Sequence, residues 1–382
     1  MKIALVHMRH KGTGGTERYL NQTARHLALQ GHRVTIVCRS HEEAPAPEVE
    51  FVVLRSFAPG GGMRMWRFAT DAARHLKSAD YDVVYGLGRT WQQDILRLGG
   101  GLVATQLEQA RIARHGLRDS VRAAASIKWR LARRVEERAF GQRPQPLIVA
   151  NSELVRRDVL TRYGLDPETV RVLHNACDCE RFHPQTHAAA GAALRAEFGF
   201  TTGHHVYLFL GTGYRRKGLV VLLEAFATHA KSAPEARLAV VGYDSELERY
   251  RALADSHGIG QKVHFAGGRR DPEICFAAAD VYVLPTYYDP FANSTVEALA
   301  AGLPVITTTT NGGSERIIQG LSGSVIPNGS PGALAAALAE WGDPERAKIG
   351  GHEARRAALE HDEAAATART EALIIEAHER RS

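Results

Sequence analysis

Cysteine is scarce in this chain. Cys38, Cys177, Cys179 and Cys275 are scattered through 382 residues. Cys177 and Cys179 stand one residue apart, too tight for the usual zinc spacing, and no second pair exists. Reduced thiols are therefore expected, not a disulfide framework or a metal centre. Long apolar runs are missing as well. The opening Ile3-Ala4-Leu5-Val6 is interrupted at once by His7, Arg9, His10 and Lys11, too short for the core of a signal peptide. No stretch approaches the ~20 apolar residues of a membrane span, so the expected compartment is the cytoplasm. Acidic excess is absent too: 48 Lys and Arg face 42 Asp and Glu, a net charge of +6. What the chain does have is 44% hydrophobic and 24% charged residues. That is a globular balance, over a length that suits two domains better than one.

Short apolar runs alternate with helical patterns throughout. Strands are predicted at Lys2–Met8, Arg33–Cys38, Val49–Leu54, Asp82–Leu87 and Leu147–Asn151. Further strands are predicted at His205–Gly211, Arg237–Gly242, Lys262–Ala266, Asp280–Pro285, Pro304–Thr308 and Ser324–Ile326. Several are near-continuous Val, Ile and Leu, as in parallel strands buried on both faces. This alternation defines an α/β chain of doubly wound parallel sheets. It pauses between 173 and 203, which places the first domain at 1–172 and the second at 173–363. The last helical pattern, 364–382, carries Ala366, Thr370, Leu373, Ile374 and Ala377 on one face and is expected to pack back on the first domain.

Two glycine loops leave strands and enter helices. The first, Lys11-Gly12-Thr13-Gly14-Gly15-Thr16-Glu17-Arg18, lets backbone amides approach a ligand at a helix N-terminus that favours an anion. It is not G-x-G-x-x-G, and the second strand ends Cys38-Arg39-Ser40 with no acid for a ribose, so a dinucleotide dehydrogenase is disfavoured. A plain tight turn is the other reading. The second loop, Gly211-Thr212-Gly213-Tyr214-Arg215-Arg216-Lys217-Gly218, adds cations. Arg supplies a planar fork and Lys a point charge, a set suited to a diphosphate. Its spacing fails the Walker pattern.

A pair of acids follows in Asp289-Pro290-Phe291-Ala292-Asn293-Ser294-Thr295-Val296-Glu297. A carboxylate at the carboxyl edge of a sheet can accept bonds from the hydroxyls of a sugar or ribose. Structural readings compete. Ser294-x-x-Glu297 matches a capping box, with Glu297 in the first helical turn, and Asp289 before Pro290 suits a turn.

In order and spacing, Gly14-Gly15-x-Glu17-Arg18, Asn151-Ser152, Leu173–Asn175, Gly211–Gly218 and Asp289…Glu297-Ala298-x-Ala300-x-Gly302-x-Pro304-Val305 resemble glycosyltransferase family 4. These are retaining enzymes of the GT-B fold, in which two Rossmann-like domains face a cleft. Within the family the chain is most similar to the lipopolysaccharide-core heptose α-1,3-glucosyltransferase group. The resemblance implies that Arg216 and Lys217 grip the donor diphosphate and that Glu297 holds the donor ribose. It implies that Asp289, with the loop amides of Phe291, Ala292 and Asn293, holds the transferred sugar, and that Gly14 and Gly15 close over the donor phosphate. It implies UDP-glucose as donor, a glycolipid or oligosaccharide acceptor, and no cofactor or metal. Two departures stand out: the first acid of the pair is the shorter Asp289, and Leu98-Gly99-Gly100-Gly101-Leu102 lacks the Asp or His of the family. Glu108 and His115 are weak candidates for that acceptor-side role.

Between Arg111 and Arg143 the cations Arg111, Arg114, Arg118, Arg122, Lys128, Arg130, Arg133, Arg134, Arg138 and Arg143 crowd together, interleaved with Ile127, Trp129 and Leu131. A basic amphipathic segment with Trp suits an anionic membrane surface. The expectation is peripheral attachment to the inner face of the cytoplasmic membrane, with a solvated helix face as the plain alternative. No nucleic-acid module accompanies these residues. The competing functions are a UDP-sugar 2-epimerase of the same fold and a non-catalytic nucleotide-sugar or membrane-binding protein.

Overall fold

The computed structural model describes residues 1–10, 14–42, 44–55, 57–112, 126–360 and 362–381, with only the backbone described at 110–112. The chain forms two compact units, Met1–Asn175 with the residues from Ala364 onward, and Ala176–Glu363.

The first unit holds a seven-stranded parallel sheet: β1 Lys2–Val6, β2 Arg33–Cys38, β3 Glu50–Val53, β4 Val83–Gly86, β5 Ile95–Leu98, β6 Leu147–Ala150 and β7 Val170–Val172. Their order across the sheet is β3-β2-β1-β4-β5-β6-β7. Chain direction through the sheet therefore reverses between β1 and β4, which creates a crevice at their carboxyl ends. The sheet is buried on both faces. Ile3, Leu5, Val34 and Ile36 pack on one side against Leu20, Ala24 and Leu27, while Ala4, Val6 and Val37 pack on the other against Phe68, Ala72 and Leu76. The helix Glu363–Arg381 completes the first of these layers with Ile374 and Ala377. Its Thr370 bonds Tyr19 at 3.0 Å, and Glu371 lies between His26 at 2.8 Å and His32 at 3.0 Å.

The second unit holds six parallel strands, β8 His205–Leu210, β9 Ala236–Val241, β10 Val263–Gly267, β11 Val281–Leu284, β12 Val305–Thr308 and β13 Gly323–Ile326, in the order β10-β9-β8-β11-β12-β13. Here the reversal falls between β8 and β11.

Two strands differ from the sequence expectation. β5 carries Arg97 in its middle, a residue that reads as surface. Its guanidinium instead lies 3.8 Å from the centre of the Tyr19 ring and donates to Asn175 Oδ1 at 2.7 Å, which makes burial tolerable. β7 is a three-residue edge strand whose Arg171 pairs with Glu376 at 2.9 Å. No described helix is long and apolar enough to cross a membrane.

Candidate active site

In the second unit the loops after β8 and β11 are neighbours because their strands pair across the reversal. The β8 loop turns sharply at Gly218, whose φ is +82° and where a Cβ would stand 2.0 Å from the Pro285 carbonyl oxygen, so only glycine fits. The helix Leu219–His229 starts there. Tyr214, fully buried, locks the loop from below: its N–H donates to Asp244 Oδ2 at 2.7 Å and its hydroxyl to the Gly242 carbonyl at 2.9 Å. The Arg216 carbonyl accepts from the Tyr287 amide at 2.9 Å and the Thr286 hydroxyl at 3.1 Å, tying the basic loop to the acidic one.

Across that seam Asp289 Oδ2 accepts from Lys217 Nζ at 2.6 Å and from Arg216 at 3.0 Å, while Oδ1 accepts from the Phe291 amide at 3.3 Å. Asp289 and Lys217 are buried, and the Arg216 side chain keeps 47% of its surface exposed. Burial alone would raise the Asp289 carboxyl; the two cations more than offset it and hold the group below the usual carboxylate range. With Asp289 ionised, the three groups carry a net positive charge. Burial lowers the Lys217 pKa, while Asp289 and, more weakly, Glu297, buried on the helix Asn293–Ala300, favour its charged form.

The capping-box reading fails. The N-cap of this helix is Ala292, so Ser294 lies inside it, and the Ser294 hydroxyl accepts from Tyr282 at 2.7 Å. Glu297 is the fifth helical residue, beyond the first turn, and no acid occupies that turn. Nor is Asp289 a plain turn residue, given its two cationic partners. The Phe291 and Ala292 amides are engaged internally, by Asp289 and by Asn311 Oδ1 at 3.1 Å. Asn311 is a residue the sequence reading missed. Fully buried, it also binds the Gly313 amide, Thr295 and Thr307, holding the loop after β11 to β12.

The first unit has its own site at the carboxyl ends of β1, β4 and β5, a cavity of about 400 Å³. Its walls include His7, Arg9, Arg89, Gly99–Gly101, Lys128 and Glu136. His7 donates its Nδ1–H to the Leu87 carbonyl, 3.1 Å away, and burial lowers its pKa, so the ring is neutral at pH 7. Asn151 braces the triple-glycine turn by donating to the Gly99 carbonyl at 3.0 Å. Gly14 is the N-cap of the helix Gly15–Leu29, with Thr16 and Glu17 at the cavity wall; Lys11, Gly12 and Thr13 lie outside the described residues. Glu108 is engaged by Arg162 at the surface, and His115 is outside the described residues.

Of the basic segment, the side chain of Arg111 and all of Arg114, Arg118 and Arg122 fall outside the description. The helix Ile127–Phe140 exposes Arg130, Arg133, Arg134 and Arg138, with Ile127 61% exposed. Trp129 and Leu131 do not stand outward for insertion as expected; both are partly buried against the core of the first unit. Among the described residues no group of three or more His, Cys, Asp or Glu gathers as a metal site.

Two doubly wound sheets, one with a basic loop bound to an acidic loop at its reversal point, define a glycosyltransferase of the GT-B type. The family described as Glycosyl transferases group 1 matches residues 192–356, and Glycosyltransferase Family 4 matches residues 13–181. The chain belongs to the family 4 glycosyltransferases. A protein named as a probable transglycosylase of Burkholderia thailandensis is 30% identical over 95% of this chain and 93% of its own. The lipopolysaccharide glucosyltransferase WaaG of Escherichia coli strain K12 is 25% identical over 85% of each. A crystal structure of WaaG, a glycosyltransferase involved in lipopolysaccharide biosynthesis, superposes with a TM-score of 0.81 at 23% identity, covering 97% of this chain and 99% of that one. Family membership sets aside the epimerase and the non-catalytic alternatives.

Proposed function

We propose that this enzyme transfers glucose from UDP-glucose, with retention at the anomeric carbon, to a sugar of lipopolysaccharide core or a similar cell-envelope glycolipid. The observation that carries the reading is the Asp289–Lys217–Arg216 cluster at the edge of the second sheet. A departing diphosphate gains negative charge in the transition state, and preorganised cations favour it there. Arg216, half exposed, is free of the constraint that buries Lys217 and can exchange Asp289 for phosphate oxygens. Asp289 and Asn293 then face the transferred sugar, Glu297 the ribose, and Gly14 and Gly15 keep their assignment to the donor phosphate. The acceptor hydroxyl attacks from the face the diphosphate leaves, and the leaving oxygen takes its proton. The cations supply charge neutralisation, so the reading calls for no metal, and activity is expected to be unchanged by chelator. The name of the Escherichia coli relative supports glucose and lipopolysaccharide.

Arg216→Gln tests the cluster without unburying Lys217. Turnover of UDP-glucose is expected to fall at least ~100-fold, in line with loss of one charge-stabilising donor, with little change in melting temperature. Wild-type kinetics would remove the loop from the mechanism, and a β-configured product by NMR would refute retention.

The same proposal places the enzyme on the inner face of an anionic membrane through Arg130, Arg133, Arg134 and Ile127, each cation contributing about 1 kcal/mol near such a surface. Sedimentation with vesicles containing anionic lipid, partly released by salt, is expected to weaken strongly when the three arginines become Glu. Equal binding to neutral and anionic vesicles, or none to either, would sink the membrane reading and leave the helix as a solvated face or an acceptor clamp.

A further inference from the structure

The cavity of the first unit is unevenly charged. Arg9, Arg89, Arg97 and Lys128 reach its wall, against Glu17 and Glu136. Two of these six are committed elsewhere. Arg97 is held by Tyr19 and Asn175. Glu136 spends one oxygen on the Val103 amide at 2.8 Å and the other on the Tyr163 hydroxyl at 2.9 Å. Glu17 lies beside Gly14 and His7. Arg9, Arg89 and Lys128 remain, and of these Arg89 and Lys128 lie near one ring, their charged ends 5.7 and 6.0 Å from the centre of Trp129.

Arg89 is partly buried, and its one hydrogen bond among the described residues goes to the neutral Gln106 side chain at 3.3 Å. Burial lowers its pKa, with Glu136 opposing only at a distance. Its ring and amide contacts, at 5.7 and 3.3 Å, are longer than those that hold Arg97, so this guanidinium has more to gain from an anion that meets it. Lys128 is brought to the same place by design of the backbone. At Gly62 a Cβ would stand 2.9 Å from the Lys128 Cα, so glycine lets the helices Gly60–Ser78 and Ile127–Phe140 approach closely enough to put Lys128 at the cavity wall beside Gly61. Two like charges are thus brought to the wall of one sugar-sized cavity.

We propose that this cavity holds an anionic group of the acceptor, a phosphate monoester on the acceptor sugar, gripped by the Arg89 guanidinium fork and the Lys128 ammonium. This rests on the transferase reading and narrows it to a phosphorylated acceptor. Arg suits the planar face of a phosphate and Lys adds a point charge.

The test titrates the full chain with glucose 6-phosphate, glucuronate and glucose by calorimetry, with UDP titrated separately. Glucose 6-phosphate is expected to bind at least ~10-fold more tightly than glucose, the worth of one charge-assisted contact, with glucuronate between. Arg89→Gln is expected to abolish that preference and leave UDP affinity unchanged. Lys128→Gln, at an exposed position that does not threaten folding, is expected to weaken it severalfold. Equal affinity for glucose and its phosphate, or a preference untouched by both variants, would overturn the proposal. Failure of UDP to bind the wild type would instead count against the donor reading.

Discussion

The two units share one topology and use its reversal point in opposite ways. In the second unit the crevice between β8 and β11 is crossed by bonds: a carboxylate is clamped by two cations, and the loop is pinned to its neighbour through the Arg216 carbonyl. In the first unit the crevice beside β1 and β4 stays open, and its cations Arg89 and Lys128 are held apart from any bonded carboxylate among the described residues. One is a closed ion cluster and the other an open cavity with cations on its wall. The difference teaches that a doubly wound sheet fixes where a ligand goes, while the loop charges decide whether the place is tuned in advance.

The sharpest way to break the contrast is Asp289→Ala. It strands Lys217 in a buried position, and loss of one partner of a buried pair costs about 3–5 kcal/mol. Urea unfolding is expected to show that loss, with amide exchange quickening in β8 and β11 but not in β1 to β7. The cluster also carries a pH signature. The folded Asp289 carboxyl sits below its ordinary value, so its contribution is complete above that value and fades as pH falls through the folded one. The stability gap between wild type and Asp289→Asn is expected to stay flat from pH ~8 to ~5 and to close only below pH ~4. Next in size, Glu297→Gln is expected to raise the UDP-glucose requirement about 10–100-fold, the worth of a charged contact. Because Ser294 is not the cap, melting should move little.

In the first unit, Gly62→Ala forces a methyl against the Lys128 backbone and is expected to cost about 1–3 kcal/mol, read by thermal melting. Smallest of all, Glu371→Gln removes a part-exposed carboxylate from His26 and His32 and should cost no more than ~1 kcal/mol by the same measurement.

Much of this was legible beforehand. Strands such as Leu147–Ala150 announce themselves as unbroken apolar runs, and the Gly211–Gly218 and Asp289–Glu297 segments carry their chemistry in adjacent residues. β5 escaped notice because Arg97 breaks its pattern, and the tyrosine ring that shelters it comes from residue 19, far away in sequence. Asn311 and Arg89 were invisible for a related reason: each is an ordinary polar residue until folding surrounds it. The join between Asp289 and Lys217 spans more than seventy residues of chain and follows from strand order, which spacing along a sequence does not encode. The capping-box match was misleading because the helix begins two residues earlier than its Ser294 implied.

The helix Glu363–Arg381 has a consequence for how the protein is made. Ile374 and Ala377 belong to the layer that Leu20, Ala24 and Leu27 begin, yet the whole second unit is synthesised in between. At roughly 5–20 residues per second, that is a wait of about 10–40 s. During it the first sheet stands with an apolar groove uncovered, exposed to wrong partners. Folding of the first unit is therefore finished by a segment that emerges only after the whole second unit, and a ribosome stalled before it would leave behind an otherwise complete sheet that lacks its closing layer.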